Sequence, residues 1–217
     1  MKYRLAIFDM DGTILDTLED LMNATNYALR LNGYPTHSLD DIRRFVGNGM
    51  WKLIERAVPS GTSKDIQIKV YDDFMAYYQE HCADNTKPYA GIPELIQKLR
   101  AAGCKTAVVS NKADEAVHEL CVQYFPGCFD YELGAREGIA NKPAPDSVYE
   151  VLSQLGVAKE DAVYIGDSEV DVATAMNAGL NSIIVTWGFR EVPFLKEKGA
   201  KTFADTTQEV EQLILEG

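Results

Sequence analysis

The sequence predicts an α/β fold, a doubly wound parallel sheet with an inserted α-helical domain. Short apolar runs rich in β-branched and aromatic residues recur along the chain, as expected for buried parallel strands. From Gly91 onward such runs alternate with amphipathic helical stretches, which is typical of a doubly wound layer. Residues 16–85 show helical patterns and no convincing strand. We therefore assign residues 1–15 and 86–217 to an α/β core and residues 16–85 to a helical insertion.

The predicted strands are followed by short polar clusters. The strands are residues 4–8, 106–109 and 162–165, with a weaker candidate at 129–133 and a further strand at 182–185. The clusters are Asp-Met-Asp-Gly-Thr at 9–13, Ser-Asn-Lys at 110–112, Lys-Pro at 142–143 and Gly-Asp-Ser-x-x-Asp at 166–171. The carboxyl ends of parallel strands share one rim of a sheet, where ligands bind. We therefore expect these clusters to meet in space.

Helices are predicted between the strands from apolar spacing and from the residues that bound them. Pro93 suits a first helical turn, and Gly103 ends that segment. A second apolar stripe ends at Gly156, and a third helix covers residues 168–178. Residues 206–217 are predicted as a closing helix. The apolar positions are Leu95, Ile96 and Leu99 in the first stripe and Val148, Val151, Leu152 and Leu155 in the second.

Two amphipathic faces predict the helices of the insertion. The first consists of Leu18, Leu21, Met22, Thr25 and Leu29, and the second of Ile66, Val70, Phe74, Tyr77, Tyr78 and His81. Thr62 and Asp65 have the spacing of a capping box, which would start the second helix. The return at residues 86–93 contains prolines and a glycine that suit a linker.

Composition limits the classes of partner. Hydrophobic residues make up 46% of the chain and charged residues 25%, and no apolar stretch is long enough to span a bilayer. Asp9 and Asp11 interrupt the first apolar run, so we expect no signal peptide and a cytoplasmic location. Four cysteines without a C-x-x-C pair indicate reduced thiols rather than zinc ligands. A net charge of −12 argues against a nucleic-acid partner. The oligomeric state is not determined by the sequence.

Asp9 and Asp11 form the first candidate chemical group. Side chains at i and i+2 of an extended segment point to the same side, so both carboxylates should face one small volume. Such a pair holds a hard cation or performs proton and nucleophilic chemistry. A calcium loop starting at Asp9 would need glycine sixth and glutamate twelfth, whereas Gly12 is fourth and Asp20 twelfth. Acids of an ordinary turn are the structural alternative.

Asp167 and Asp171 supply acids after another predicted strand. Asp167 is a candidate metal ligand. Asp171 has two interpretations, because Ser168 and Asp171 have the spacing of a capping box and Asp171 could equally support a metal. Magnesium fits better than zinc or calcium, because the few converging carboxylates leave positions for water and a phosphate oxygen.

Ser110, Asn111 and Lys142 are candidates for binding an anion. Ser110 and Asn111 should lie at a helix N-terminus, where hydroxyl, amide and backbone N–H groups can bind phosphate. Lys142 precedes Pro143, which favours an extended backbone, and its ammonium could reach a phosphate. Each alone is explained by a helix cap or a solvated loop lysine. Together with the acids, they are the groups that phosphoryl transfer to an aspartate requires.

With these motifs in this order, the chain resembles phosphatases of the haloacid dehalogenase superfamily. The motifs are Asp-Met-Asp-Gly-Thr-Ile-Leu-Asp-Thr at 9–17, Ser110, Lys-Pro-x-Pro-Asp at 142–146 and Gly-Asp-Ser-x-x-Asp at 166–171. The resemblance covers nearly the whole chain. It implies a Rossmann-like core, and the insertion after the first motif matches the family's small α-helical cap.

The resemblance implies a magnesium-dependent phosphatase that hydrolyses a small phosphorylated metabolite through an aspartyl-phosphate. Asp9 would be the nucleophile and Asp11 the general acid and base. The implied magnesium ligands are Asp9, Asp11 through its backbone carbonyl, and Asp167, with Asp171 in support. The implied phosphate- and substrate-binding residues are Gly12, Thr13, Ser110, Asn111, Lys142 and, in the cap, Asn48.

Within the superfamily, the segment Phe-Val-Gly-Asn-Gly-Met-Trp-Lys-Leu at 45–53 is similar to that of phosphoglycolate phosphatases. This similarity makes 2-phosphoglycolate the expected substrate, although Gly47, Asn48 and Gly49 also suit a plain turn between two helices. A pyrophosphatase and a β-phosphoglucomutase-like phosphomutase share the scaffold and stay as alternatives. A phosphoacceptor receiver domain is the non-enzymatic alternative. The helical insertion and the Asp-x-Asp-Gly-Thr motif disfavour it.

Overall fold

The computed structural model describes residues 1–216, which form alternating strands and helices. In chain order the strands are β1 Leu5–Phe8, β2 Leu15–Asp16, β3 Lys87–Pro88, β4 Lys105–Ala113, β5 Tyr131–Ala135, β6 Ala162–Gly166, β7 Asn181–Val185 and β8 Phe203–Ala204. The helices are α1 Leu18–Leu31, α2 Leu39–Phe45, α3 Met50–Ala57, α4 Lys64–His81, α5 Ile92–Ala101, α6 Asp114–Tyr124, α7 Asp146–Leu155, α8 Glu169–Ala178, α9 Val192–Glu197 and α10 Thr207–Leu215. The chain divides into two units, Asp16–Lys87 and the remainder.

The larger unit is built on a six-stranded sheet with the order β5-β4-β1-β6-β7-β8. All neighbouring strands of this sheet run parallel. The chain moves one way across the sheet from β1 to β5 and the other way from β6 to β8. Right-handed crossovers place the helices of these two runs on opposite faces. The predicted doubly wound α/β class is therefore confirmed, and ligands bind at such a reversal beyond the carboxyl ends of the strands.

Apolar side chains on both faces of the central strands form the core of this unit. The side chains of β1 are fully buried, as expected for a strand in the middle of a parallel sheet. Leu5 and Ile7 pack in one cluster with Val148 and Val151 of α7 and with residues of α8. Burying one such side chain contributes about 1.5–3 kcal/mol. The parallel register of β1 with β6, which pairs Phe8 with Ile165, sets the level of the residues that follow them.

Strand β4 continues further than the sequence pattern predicts. We expected a helix to begin at Ser110 and Asn111, but both residues belong to β4, and α6 begins only at Asp114. The pairing of β4 with β5 shifts register between Val109 and Ala113. An irregularity of this kind redirects side chains near an active site. The prediction of a helix N-terminus at Ser110 is therefore wrong.

The smaller unit consists of four helices, with α1 in contact with α2, α3 and α4. The apolar faces predicted for α1 and α4 are largely buried, although Ile66 is 42% exposed and lies outside the packed face. Asp20 of α1 is buried and accepts hydrogen bonds from the backbone N–H groups of Asn85 and Thr86. It also accepts one from the Thr86 hydroxyl. A single carboxylate thus fixes the segment that follows α4.

The predicted capping box of α4 is wrong. The N-cap is Ser63 rather than Thr62, and no side-chain hydrogen bond caps this helix. The Thr62 hydroxyl instead donates to the carbonyl of Pro59, which closes a local turn before the helix begins. A threonine that can bond its own turn competes with capping in this way. Within residues 1–216, no helix combines the length and the apolar character that crossing a bilayer requires.

Candidate active site

Three buried carboxylates converge beyond the ends of β1 and β6. Asp9 follows β1, Asp167 follows β6, and Asp171 lies in the first turn of α8. One oxygen from each lies within 4.8 Å of the others. The three residues are 7%, 1% and 0% exposed, respectively. Parallel pairing of β1 with β6 produces this convergence, because it brings the two strand ends to the same rim.

Asp171 is held by hydrogen bonds on both of its carboxylate oxygens. Oδ2 accepts from the backbone N–H groups of Asp167 and Ser168 at 3.2 and 3.1 Å and from the Ser168 hydroxyl at 2.6 Å. Oδ1 accepts from Lys142 at 2.9 Å and from the Tyr164 hydroxyl at 3.3 Å. A Cβ at Gly166 would overlap this carboxyl group. The predicted capping box of Ser168 and Asp171 is therefore confirmed, and Asp171 also binds the lysine.

Lys142 places its ammonium between the two aspartates. Its Nζ donates to Asp9 Oδ1 at 2.7 Å, to Asp171 Oδ1 at 2.9 Å and to the Tyr164 hydroxyl at 3.0 Å. Burial by itself disfavours the charged amine, but Asp171 and Asp9 outweigh that effect and raise the pKa of Lys142 well above its usual value. Lys142 is therefore a fixed positive charge at the centre of the cluster.

Asn111 holds the backbone of Lys142. Its side-chain oxygen accepts from the Lys142 N–H at 2.9 Å, and its side-chain nitrogen donates to the Lys142 carbonyl at 3.0 Å. The peptide bond between Lys142 and Pro143 is cis. Both polar ends of the Asn111 amide are thus engaged with the loop that carries the lysine. Sequence reasoning identified Asn111 as an anion-binding candidate and did not foresee this contact.

Asp167 is surrounded closely by backbone. Its Oδ2 accepts from the Phe189 N–H at 2.7 Å, and its Oδ1 accepts from the Thr13 hydroxyl at 3.3 Å. A Cβ at Gly12 or at Gly188 would overlap this carboxyl group, so glycine is the residue that permits the approach. Gly12 and Thr13 therefore lie at the acid cluster, as their place in the first motif predicts.

A second buried lysine, Lys112, lies beside Asp11. Its Nζ is 3.1 Å from Asp11 Oδ1, and its side chain is only 1% exposed, whereas that of Asp11 is 20% exposed. The hydroxyl of Ser110, which is 5% exposed, accepts from the Lys112 N–H at 3.1 Å. Sequence reasoning missed the roles of Lys112 and Tyr164. The one available signal was a lysine in the polar cluster that follows the predicted strand at 106–109; the tyrosine lies within an apolar run.

Carboxylates outnumber lysines in the cluster. Asp9, Asp167 and Asp171 are buried, Asp11 is partly exposed, and two buried lysines, Lys112 and Lys142, lie among them. Desolvation and the neighbouring Asp171 raise the pKa of Asp167 to about 7 and raise that of Asp9 well above its usual value, although Lys142 opposes the shift of Asp9. Oxygen ligands of this kind suit a hard divalent cation, and its charge would offset the repulsion between the carboxylates. The residues therefore fit Mg²⁺.

Asn48, the candidate from the helical insertion, lies in the smaller unit between α2 and α3. Its side-chain oxygen accepts from Arg56 at 2.7 Å, and Arg56 also donates to the carbonyl of Phe45 at 2.6 Å. Gly47 and Gly49 have positive φ values of 113° and 85°, which only glycine adopts readily. The segment is therefore a turn stabilised by Arg56. Because arginine only donates, the side-chain nitrogen of Asn48 points away from it.

Comparison with known proteins identifies relatives over nearly the whole chain. Residues 6–185 match the family described as haloacid dehalogenase-like hydrolases. The chain is 34% identical to a phosphoglycolate phosphatase of Rhodobacter capsulatus over 92% of this chain and 91% of that protein. It is 30% identical to one of Aquifex aeolicus over 86% of each. A crystal structure from Lactobacillus delbrueckii subsp. bulgaricus, provisionally assigned as a phosphoglycolate phosphatase, covers 100% of both chains with a TM-score of 0.96 and 41% identity.

Proposed function

The chain belongs to the haloacid dehalogenase-like hydrolases and is a phosphatase, and on this premise we propose that it hydrolyses 2-phosphoglycolate with Mg²⁺ through an aspartyl-phosphate. The observation that carries the proposal is the convergence of Asp9, Asp167 and Asp171 at one rim of the sheet, with the Lys142 ammonium bonded to Asp9 and Asp171. The substrate is taken from the relatives, which are named as phosphoglycolate phosphatases.

Asp9 is the proposed nucleophile. The contact of Lys142 with Oδ1 supports this role, because it fixes the orientation of the carboxylate while Oδ2 attacks phosphorus in line. The bond from Asp9 to phosphorus forms as the bond to the leaving oxygen breaks. Lys142 then lies beside the phosphoryl oxygens and offsets their charge. Ser110, Gly12 and Thr13 are proposed to bind the same group through hydroxyl and backbone N–H donors.

Asp11 is the proposed general acid and base. It gives a proton to the departing alkoxide in the first half of the reaction. In the second half it takes a proton from the water that attacks phosphorus, and Asp9 is released. The partial exposure of Asp11 supports this division, because a group that exchanges protons with substrate and water cannot be wholly enclosed. Asn111 is proposed to act through the Lys142 backbone, which it holds at both polar atoms.

Asp9, Asp167 and the backbone carbonyl of Asp11 are the proposed magnesium ligands. Asp171 is assigned to support them, because its two oxygens accept from Lys142, Tyr164, Ser168 and the backbone. When bound, Mg²⁺ would supply positive charge beside the transferring phosphoryl group. The three converging buried carboxylates of Asp9, Asp167 and Asp171 support a divalent ion, since its charge would offset their mutual repulsion.

Residues 16–85 are proposed as the cap, and Asn48 as a residue that recognises the carboxylate of the substrate. The engagement of the Asn48 oxygen by Arg56 supports this role, since it leaves the side-chain nitrogen as the group that can donate to an anion. Alanine at Asn48 should raise KM for 2-phosphoglycolate more than KM for acetyl phosphate, which lacks a carboxylate. Equal changes in both KM values would remove Asn48 from the binding site. The cytoplasm is the proposed location.

A screen of phosphate release tests the function. The purified protein is assayed with 2-phosphoglycolate, pyrophosphate and hexose phosphates, with MgCl₂ or with EDTA. We expect the highest kcat/KM for 2-phosphoglycolate with MgCl₂ and no turnover with EDTA. Preference for pyrophosphate, or accumulation of a sugar bisphosphate without phosphate release, would contradict the proposed substrate. Asp9→Asn is the control for the nucleophile, and substantial hydrolysis by this variant would overturn the aspartyl-phosphate.

A further inference from the structure

We propose that Lys112 is a positioning residue that holds one oxygen of the Asp11 carboxylate, so that the other oxygen exchanges the proton with the leaving group. The inference rests on the proposed function, in which Asp11 is the acid and base. Each aspartate of the Asp-x-Asp motif then has a buried lysine beside it: Lys142 contacts Asp9, and Lys112 contacts Asp11.

Lys112 and the oxygen of Asp11 that it contacts are both buried. Lys112 is 2% exposed, and its Nζ lies 3.1 Å from Asp11 Oδ1. That oxygen is shielded from solvent and accepts no hydrogen bond from the part of the chain that the structure describes, so its contact with Lys112 is an ion pair, while the Asp11 side chain as a whole is 20% exposed. The exposure therefore lies on the other atoms, of which Oδ2 is the terminal one. The lysine thus distinguishes an inner oxygen from an outer oxygen of one carboxylate.

The backbone around Lys112 is fixed from two sides. Its N–H donates to the Ser110 hydroxyl at 3.1 Å. Its carbonyl packs against Gly134 of β5, where a Cβ would overlap it. Both contacts lie where the pairing of β4 with β5 shifts register. A bulge of this kind redirects a side chain, and here it sets the direction in which Lys112 leaves the strand.

Orientation of Asp11 matters for the first chemical step. A carboxylic acid assists only when the oxygen that carries the proton points at the departing oxygen. In that step the proton leaves Asp11 Oδ2 for the leaving alkoxide as the phosphorus–oxygen bond breaks. Lys112 gives up no proton and bonds to no substrate atom; it prevents rotation of the carboxyl group. Loss of the lysine should therefore slow only those reactions that need the proton.

The dependence on the leaving group tests the inference. Lys112→Met keeps the length of the side chain and removes its charge, and Lys105→Met, in the same strand but exposed, is the matched control. We expect kcat/KM for 2-phosphoglycolate, whose alkoxide needs a proton, to fall about 10- to 100-fold, part of the 10²–10⁴ that acid–base catalysis contributes. For p-nitrophenyl phosphate or acetyl phosphate, whose leaving groups need no proton, we expect a change below about threefold.

Equal losses for both kinds of ester, or no loss for either, would overturn the role of Lys112. If Lys112→Met does not fold, as judged by circular dichroism, Lys112→Gln, which also removes the charge, replaces it in the same comparison. The same bias towards the alkyl ester would then support the inference, and its absence would overturn it. A failure of the proposed function would give different results: the unaltered protein would release no phosphate, or Asp9→Asn would still hydrolyse the substrate.

Discussion

Replacing Asp171 with asparagine should destabilise the metal-free protein far more than the same replacement at Asp9. Asp171 accepts hydrogen bonds on both oxygens, from Lys142 and Tyr164 on one side and from Ser168 and backbone N–H groups on the other. An amide offers one acceptor and one donor. In either orientation of the asparagine side chain, its NH₂ group faces groups that also donate, and these groups lose their acceptor.

The magnitude follows from the buried ion pair. Removing one partner of a buried pair costs about 3–5 kcal/mol. Asp9 still pairs with Lys142 in this variant, so the cost arises mainly from the buried donors that lose an oxygen of Asp171. At about 2–4 °C per kcal/mol for a chain of this size, the melting temperature should fall by roughly 6–20 °C. Asp9→Asn differs, because its amide oxygen can still accept from Lys142 and one repulsive charge is removed. We expect it to stay within about 1 kcal/mol of the unaltered protein.

Urea and thermal unfolding in EDTA, followed by circular dichroism, measure both variants under identical conditions. We expect Asp9→Asn to be stable but inactive and Asp171→Asn to be unstable. Melting temperatures within about 2 °C of each other would refute it, since they would show that the contacts of Asp171 add nothing beyond those of Asp9.

Three further predictions concern the same cluster. Because burial raises the folded-state pKa of Asp167 to about 7, above its unfolded value, the metal-free protein binds extra protons when folded between about pH 4 and 7. The urea concentration at the midpoint of its unfolding should therefore fall as pH rises from 5 to 8. Asp167→Asn should flatten this dependence on pH, and saturating MgCl₂ should raise the midpoint most at pH 8. A midpoint that rises with pH would contradict the prediction. Gly188→Ala should destabilise the protein by about 1–3 kcal/mol in thermal melts, because the new methyl group overlaps Asp167. Asn111→Ala should lower kcat/KM about 10-fold or more, because it removes both hydrogen bonds that hold the Lys142 backbone. The control, Asn177→Ala, loses one exposed hydrogen bond to the carbonyl of Pro143 and should change kcat/KM less than about threefold. Equal effects of the two variants would argue against the role of Asn111.

The sequence by itself determined the fold class and indicated which acids follow the ends of strands. Apolar runs before Asp9 and Asp167 predict strands, and the acids therefore come at strand ends. The capping box of Ser168 and Asp171 was equally visible, because it depends on spacing within one helical turn. Such features are local: each is encoded in a few consecutive residues, and the parallel sheet then brings the strand ends together.

Only the tertiary structure decided which partners these acids have. The extension of β4 past Ser110 depends on how it pairs with β5, and no pattern within β4 records that shift of register. The contacts of Lys112 with Asp11 and of Asn111 with Lys142 follow from it. A buried lysine and a loop lysine look alike in a sequence. What distinguishes them is the balance between the cost of desolvating an ammonium and the attraction of carboxylates from distant segments, and that balance exists only once the chain has folded.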